Sequence, residues 1–184
     1  EYGHRGWTCY SDAHEHVFAE PGHNAWLQAT ERACRMVHEK MDQVREGLCL
    51  MTEFPGHDHL ASTLEAALSH ESAPSHAPAI RPVPIDLFRF YFRHCKMFEL
   101  GRPETPEQKA WNVFNAHATF GANARHPEDI FYTLVENSDA FEGETVTPLV
   151  ETLVPLIYAN RFTGGGKTIW TLFNATGNTV EEPL

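Results

Sequence analysis

The main indication of the fold is a short apolar run, Leu48-Cys49-Leu50-Met51-Thr52-Glu53. The turn sequence Phe54-Pro55-Gly56 comes directly after it. Because consecutive positions are apolar, both faces of this element are expected to be buried, as they are in a strand of a parallel sheet. Barrel enzymes keep their catalytic groups at the carboxyl ends of such strands. Glu53 is therefore the first candidate catalytic residue, and Asp58 in the following loop is the second. The alternative for Glu53 is a structural acid that caps a helix or pairs with an arginine.

Helical patterns alternate with strand patterns on both sides of this run. An amphipathic helix precedes it, a second helix follows it, and an aromatic run then predicts another strand. Two more helices follow, the first with Thr105 as its cap and Pro106 at its first position. This alternation predicts a parallel α/β sheet or barrel. The predicted elements are a helix over 24–44, a strand over 48–53, a helix over 59–69, a strand over 85–92, and helices over 105–120 and 127–135.

The residue pattern changes toward the carboxyl end, where aromatic and β-branched residues become frequent. Two runs rich in aromatic and β-branched residues, Leu156–Phe162 and Thr168–Asn174, flank the glycine-rich turn Thr163–Gly166. This pattern predicts an antiparallel hairpin. We place a boundary near residue 150, with an α/β portion over residues 1–150 and an all-β portion over residues 151–184.

The composition excludes several classes of protein. The chain has 184 residues, of which 42% are hydrophobic, and a formal net charge of −11. A negative charge of this size argues against a surface that binds polyanions, so no nucleic-acid partner is expected. No run reaches the ~18 apolar residues of a membrane-spanning helix, so no membrane partner is expected either. We expect a soluble protein, secreted or periplasmic if a signal peptide precedes the chain.

A histidine pair near the amino end suggests metal-dependent hydrolysis as an alternative chemistry. In Asp12-Ala13-His14-Glu15-His16, two imidazoles stand at positions i and i+2, as in the metal sites of amidohydrolases. The residues before this pair are not typical of a barrel strand. No further metal-binding side chain stands at a fixed spacing from the pair. A metal-dependent hydrolase using His14 and His16 is therefore an alternative, and we expect these residues to hold no metal with His57 and His59.

Several short motifs, taken as a set, resemble a poorly characterised family of glycoside-hydrolase-like proteins. These proteins are TIM-barrel enzymes followed by a β-sandwich, with a Cys-Tyr and His-x-His loop after one strand and a Thr-Glu at the end of a later one. The resemblance covers nearly all of the chain. The motifs that carry it are Cys9–His16, Leu50–Glu53 with Asp58 beyond, Phe88–Phe90, Tyr158–Phe162 and Thr168–Asn174.

The resemblance implies a fold, and it implies that the chain is only part of the full-length protein. Residues 1–150 would be the carboxyl-terminal portion of a (β/α) barrel, and residues 151–184 would be the first strands of a β-sandwich. A full barrel takes ~250 residues, so we expect the chain to be a fragment. The family carries an Asp on a strand before the Cys-Tyr loop, which would lie upstream of Glu1, and it tends to carry Asp-Gly where this chain has Glu65-Ala66.

The resemblance also implies glycoside hydrolysis, which uses a pair of carboxylic residues. Glu53 would be the general acid/base, since a strand-end position is expected to bury it. Its partner would lie upstream of Glu1, or would be Asp58 or Asp12 if the loops bring either within ~5–10 Å of Glu53. We expect a carbohydrate substrate, no cofactor and no metal, and little or no hydrolysis by this chain alone. A non-catalytic sugar-binding α/β module is the remaining alternative. The residues expected to bind the sugar are Trp7, Tyr10, Asp12, His14, His16, His57 and Arg89.

Overall fold

The computed structural model describes residues 13, 25–53, 58–68, 83–100, 105–120, 130–143, 145–181 and 183. Its strands form a four-stranded parallel sheet in the order β1-β2-β3-β4 and a separate three-stranded antiparallel sheet in the order β5-β6-β7. The predicted mixed α/β class is confirmed, whereas the TIM barrel and the sandwich stay predictions. The elements are α1 (Ala25–Val44), β1 (Met51–Glu53), α2 (Asp58–Ala61), β2 (Ala66–Leu68), α3 (Leu87–Tyr91), β3 (Lys96–Leu100), α4 (Pro106–Asn115), β4 (Ala118–Phe120), α5 (Phe131–Glu136), α6 (Ser138–Phe141), β5 (Thr145–Val150), β6 (Ile157–Gly164) and β7 (Lys167–Asn174).

The chain divides into two compact units, Glu1–Ala67 and Leu68–Leu184, which are described separately. In the first unit α1 forms as its periodicity predicts. Glu65 fixes this helix to the following segment, because its carboxylate binds the His38 ring and accepts a hydrogen bond from Leu50 N at 2.8 Å.

The predicted helix over 59–69 is wrong beyond its first residues. Helix α2 ends at Ala61, and residues 66–68 form strand β2, in which all three residues are buried. Consecutive burial suits an extended strand, whereas a surface helix exposes part of its circumference. The alanines of this stretch favour a helix locally, but their burial overrides that preference.

The predicted strand over 85–92 is also wrong, because this segment forms helix α3. Asp86 has an extended backbone, and its side chain accepts a hydrogen bond from Phe88 N at 3.1 Å, which caps the helix. The rings of Phe88 and Phe92, four residues apart, pack with their centroids 4.8 Å apart. The next strand, β3, begins only at Lys96.

Helix α4 begins as predicted and ends early. Thr105 and Gln108 form a reciprocal capping box, with Pro106 in the first turn. The helix ends because Ala116 adopts a left-handed backbone, with φ 53° and ψ 44°. Residues 118–120 then form β4, parallel to β3, instead of a last helical turn.

The predicted hairpin is confirmed. Strands β6 and β7 pair antiparallel up to Gly164 opposite Lys167, so that the turn consists of Gly165 and Gly166, both with positive φ. Strand β5 pairs with the other side of β6, which places the start of the antiparallel sheet at Thr145. The division of the chain near residue 150 into barrel and sandwich portions stays a prediction.

Two glycines of the hairpin are expected to respond differently to alanine. A Cβ at Gly164 would collide with the backbone carbonyl of Asp139, whereas a Cβ at Gly166 meets nothing within 4 Å. Gly166→Ala should therefore cost only the left-handed backbone penalty, about 1–2 kcal/mol of unfolding free energy. Gly164→Ala should cost more, because Asp139 must move. Urea unfolding of both variants checks this, and equal costs would show that the close approach at Gly164 is not present.

Candidate functional site

A buried polar cluster joins three elements of the second unit. His117, which is 0% exposed, lies between two carboxylates. Its Nδ1 is 3.1 Å from Glu99 Oε1 on β3, and its Nε2 is 3.0 Å from Asp86 Oδ2 at the cap of α3. The Glu99 contact is a hydrogen bond, whereas the Asp86 contact has the distance of an ion pair without hydrogen-bond geometry. The three side chains tie α3 to the two parallel strands.

The surroundings of His117 favour its charged form. Burial is the largest single influence and lowers the pKa, but the carboxylates of Asp86 and Glu99 together outweigh it, so the pKa of His117 is raised. An imidazolium between two carboxylates leaves one negative charge in the buried cluster.

Arg89 supplies a second buried cation. It lies on α3, is 4% exposed, and donates from Nη2 to Phe141 O at 3.0 Å. Burial lowers the pKa of the Arg89 guanidinium against the opposing charges of Asp86 and Glu142. Because an arginine stays protonated in proteins, Arg89 offsets the negative charge of the cluster. Two anions and two cations are thus buried together.

Arg89 also lines a cavity of about 270 Å³ in the same unit. Most of the lining side chains are apolar, and the cavity lies among α3, β3, β4 and the helices α5 and α6. Lys96 and Glu142, also on its wall, pair with each other at 3.2 Å. The cavity therefore combines an apolar wall with one deeply buried guanidinium.

The structure places Glu53 as the last residue of β1, as predicted, but its side chain is exposed. The expectation that the strand end buries this carboxylate is wrong, because β1 is only three residues long and Glu53 closes it. Asp58 is the first residue of α2, so it begins a helix instead of lying in a loop. Glu53 and Arg89 belong to different units. Trp7, Tyr10, Asp12, His14, His16 and His57 lie outside the described residues.

Within the described ranges, no group of three or more histidine, cysteine, aspartate and glutamate side chains has the arrangement of a metal site. The His14 and His16 pair lies outside those ranges, so the amidohydrolase alternative stays a prediction. Among the described cysteines, Cys34, Cys49 and Cys95 form no disulfide bond with one another.

Sequence reasoning missed the cluster of Asp86, Glu99 and His117. Two local signals could have found part of it. Asp86 stands directly before a helix, where a cap is expected, and Glu99 stands between the apolar residues Phe98 and Leu100 of β3. Neither signal identifies the partner, since the three residues come from different elements.

Comparison of the chain with protein families, with curated proteins and with solved structures gives no match. Among the described helices, none has the length and apolar character needed to cross a membrane. The likeness to glycoside hydrolases therefore rests on the sequence motifs alone.

The raised pKa of His117 predicts a pH-dependent stability. The folded pKa lies above the unfolded value of ~6.5, so the imidazolium stabilises the fold fully below about pH 6.5 and less as the pH rises through the folded value. His38, whose pKa is raised first of all by its hydrogen bond to Glu65, acts in the same direction. We therefore compare His117→Gln with the parent in a His38→Gln background.

Urea unfolding from pH 6 to pH 9 is the measurement. The His38→Gln parent should lose stability across this range, and the His117→Gln variant should lose less. Parallel pH profiles would show that folding does not raise the pKa of His117.

Proposed function

We propose that this chain is part of a carbohydrate-active protein that hydrolyses glycosidic bonds by carboxylate acid/base chemistry. The observation that carries the proposal is the position of Glu53. It ends a strand of a parallel sheet, and its side chain is exposed. A catalytic carboxyl group must come within hydrogen-bond reach of the leaving group, and a strand places a side chain more precisely than a loop does. The exposed position of Glu53 at a strand end supports this role.

The proposed reaction assigns one or two roles to Glu53, according to its stereochemistry. As an acid, it donates its proton to the glycosidic oxygen while the bond from the anomeric carbon to that oxygen breaks. If the configuration at the anomeric carbon is retained, Glu53 then acts as a base: it takes a proton from the water that displaces the second carboxylate from the anomeric carbon, which regenerates the acid. If the configuration is inverted, Glu53 acts only as the acid, and the second carboxylate takes the proton from water. The first step needs a second carboxylate to attack the anomeric carbon or to activate water.

Asp58 at the start of α2 is the nearest candidate for this partner along the chain, and an acid upstream of Glu1 is the other. The two carboxyl groups must lie ~5–10 Å apart, according to whether the configuration at the anomeric carbon is retained or inverted. Sugar contacts are assigned to the aromatic and histidine residues of the amino-terminal motif.

The order of the two sheets along the chain supports the same proposal. Parallel strands come first and antiparallel strands follow, which is the order of a barrel followed by a β-sandwich. The barrel portion over 1–150 and the sandwich portion over 151–184 belong to the proposal.

The test is the hydrolysis of a panel of 4-nitrophenyl glycosides by the protein extended upstream to a complete barrel. Glu53→Gln should lower kcat by at least ~10²-fold, because the amide keeps the shape of the side chain but transfers no proton. Glu46→Gln, which changes another exposed acid of the same unit, should leave kcat unchanged. The chain alone should hydrolyse these substrates poorly, since it supplies only part of the site.

Two outcomes would contradict the proposal. Near-normal turnover by the Glu53→Gln variant would make Glu53 a structural acid. Glycan binding without hydrolysis of any substrate by the extended protein would make it a sugar-binding module.

A further inference from the structure

The cavity beside Arg89 has the composition of a ligand site. Its wall is formed by aromatic, aliphatic and small side chains on five elements of the second unit. Two alanines, Ala116 and Ala118, leave open space where larger side chains would fill it. The larger apolar side chains of the wall are those of Met97, Phe98, Phe131, Leu134, Val135 and Phe141.

The volume of the cavity sets the size of its occupant. An apolar cavity of ~150 Å³ can accept benzene, and drug-sized ligands occupy ~300–1,000 Å³. A cavity of about 270 Å³ therefore accommodates one substituted ring or a short alkyl chain.

Arg89 supplies the polar group of the site. Its Nη2 donates to Phe141 O, while Nε and Nη1 are buried and have no hydrogen-bond partner. A buried donor without a partner is costly, so an acceptor group bound beside Arg89 would gain affinity by satisfying these donors. Planar carboxylates match the guanidinium fork.

The remaining charges of the wall limit the charge of the ligand. Lys96 and Glu142 pair with each other, and about half of each side chain is exposed. Glu142 would repel a dianion such as a phosphate monoester more strongly than a monoanion. A sugar is disfavoured because its many hydroxyls would meet mostly apolar side chains.

We propose that this cavity binds a small monocarboxylate with an apolar body, whose carboxylate pairs with Arg89 and whose ring or alkyl chain packs against Phe131 and Phe141. This inference goes beyond the proposed hydrolysis and does not depend on it. It also gives Arg89 a role different from the sugar contact that the sequence motifs imply.

The experiment titrates the chain, labelled with ¹³C in its methionine and alanine methyl groups, with benzoate and with hexanoate. Benzyl alcohol and 1-hexanol serve as neutral ligands of matched shape. The methyl signals of Met97, Ala116 and Ala118 should shift, and the carboxylates should bind at least about tenfold more tightly than the alcohols, because only they form a charge-assisted pair with Arg89. Equal affinities, or no shift of these signals with either carboxylate, would overturn the proposal.

Three variants sharpen the test. Arg89→Met should abolish the preference for carboxylates, whereas Lys167→Met, which removes a positive charge from the exposed hairpin turn of the same unit, should not. Ala118→Leu keeps Arg89 and fills the cavity, so it should abolish binding of both ligand types. This variant decides the question if Arg89→Met does not fold, and unchanged benzoate binding by Ala118→Leu would place the ligand elsewhere and overturn the proposal.

Discussion

The second unit depends on how the end of α4 satisfies its polar groups. The last carbonyls of a helix have no partner within the helix, and Phe114 O instead accepts from Asn160 Nδ2 at 2.8 Å and from Thr171 Oγ1 at 2.7 Å. Asn115 accepts from Asp86 N at 2.7 Å. The left-handed turn at Ala116 then directs the chain into β4. Segment 114–117 is thus held by the antiparallel sheet, by the cap of α3 and by β3.

This segment also connects the candidate sites to the fold. Asp86, which Asn115 holds, caps the helix that carries Arg89 and contacts His117. The buried charges therefore position Arg89 at the cavity, because the helix that carries it cannot shift without breaking them. Glu53, in contrast, lies in the other unit at the end of a short strand, where its side chain is exposed to solvent.

Sequence reasoning succeeded where the chemistry is local. The cap at Thr105 and the glycine turn at Gly165 are visible in a few neighbouring residues, and both the start of α4 and the hairpin form as predicted. Sequence reasoning failed where the local structure depends on contacts with residues that are distant in the chain. An alanine has no intrinsic preference for the left-handed backbone that ends α4, and only contacts from other elements explain Ala116. In the same way, the sequence around Glu53 correctly predicted a strand end. The exposure of the Glu53 side chain, however, depends on how far the strand extends.

The end of α4 couples the antiparallel sheet to the parallel strands β3 and β4 of the second unit. Native-state amide hydrogen exchange of the chain and of the Asn160→Ala variant tests this coupling, because Asn160 lies on β6 while its partner Phe114 O lies on α4. The variant should lose protection in β3 and β4 as well as in β5, β6 and β7. Loss of protection confined to β5, β6 and β7 would show that the two sheets are not coupled in this way.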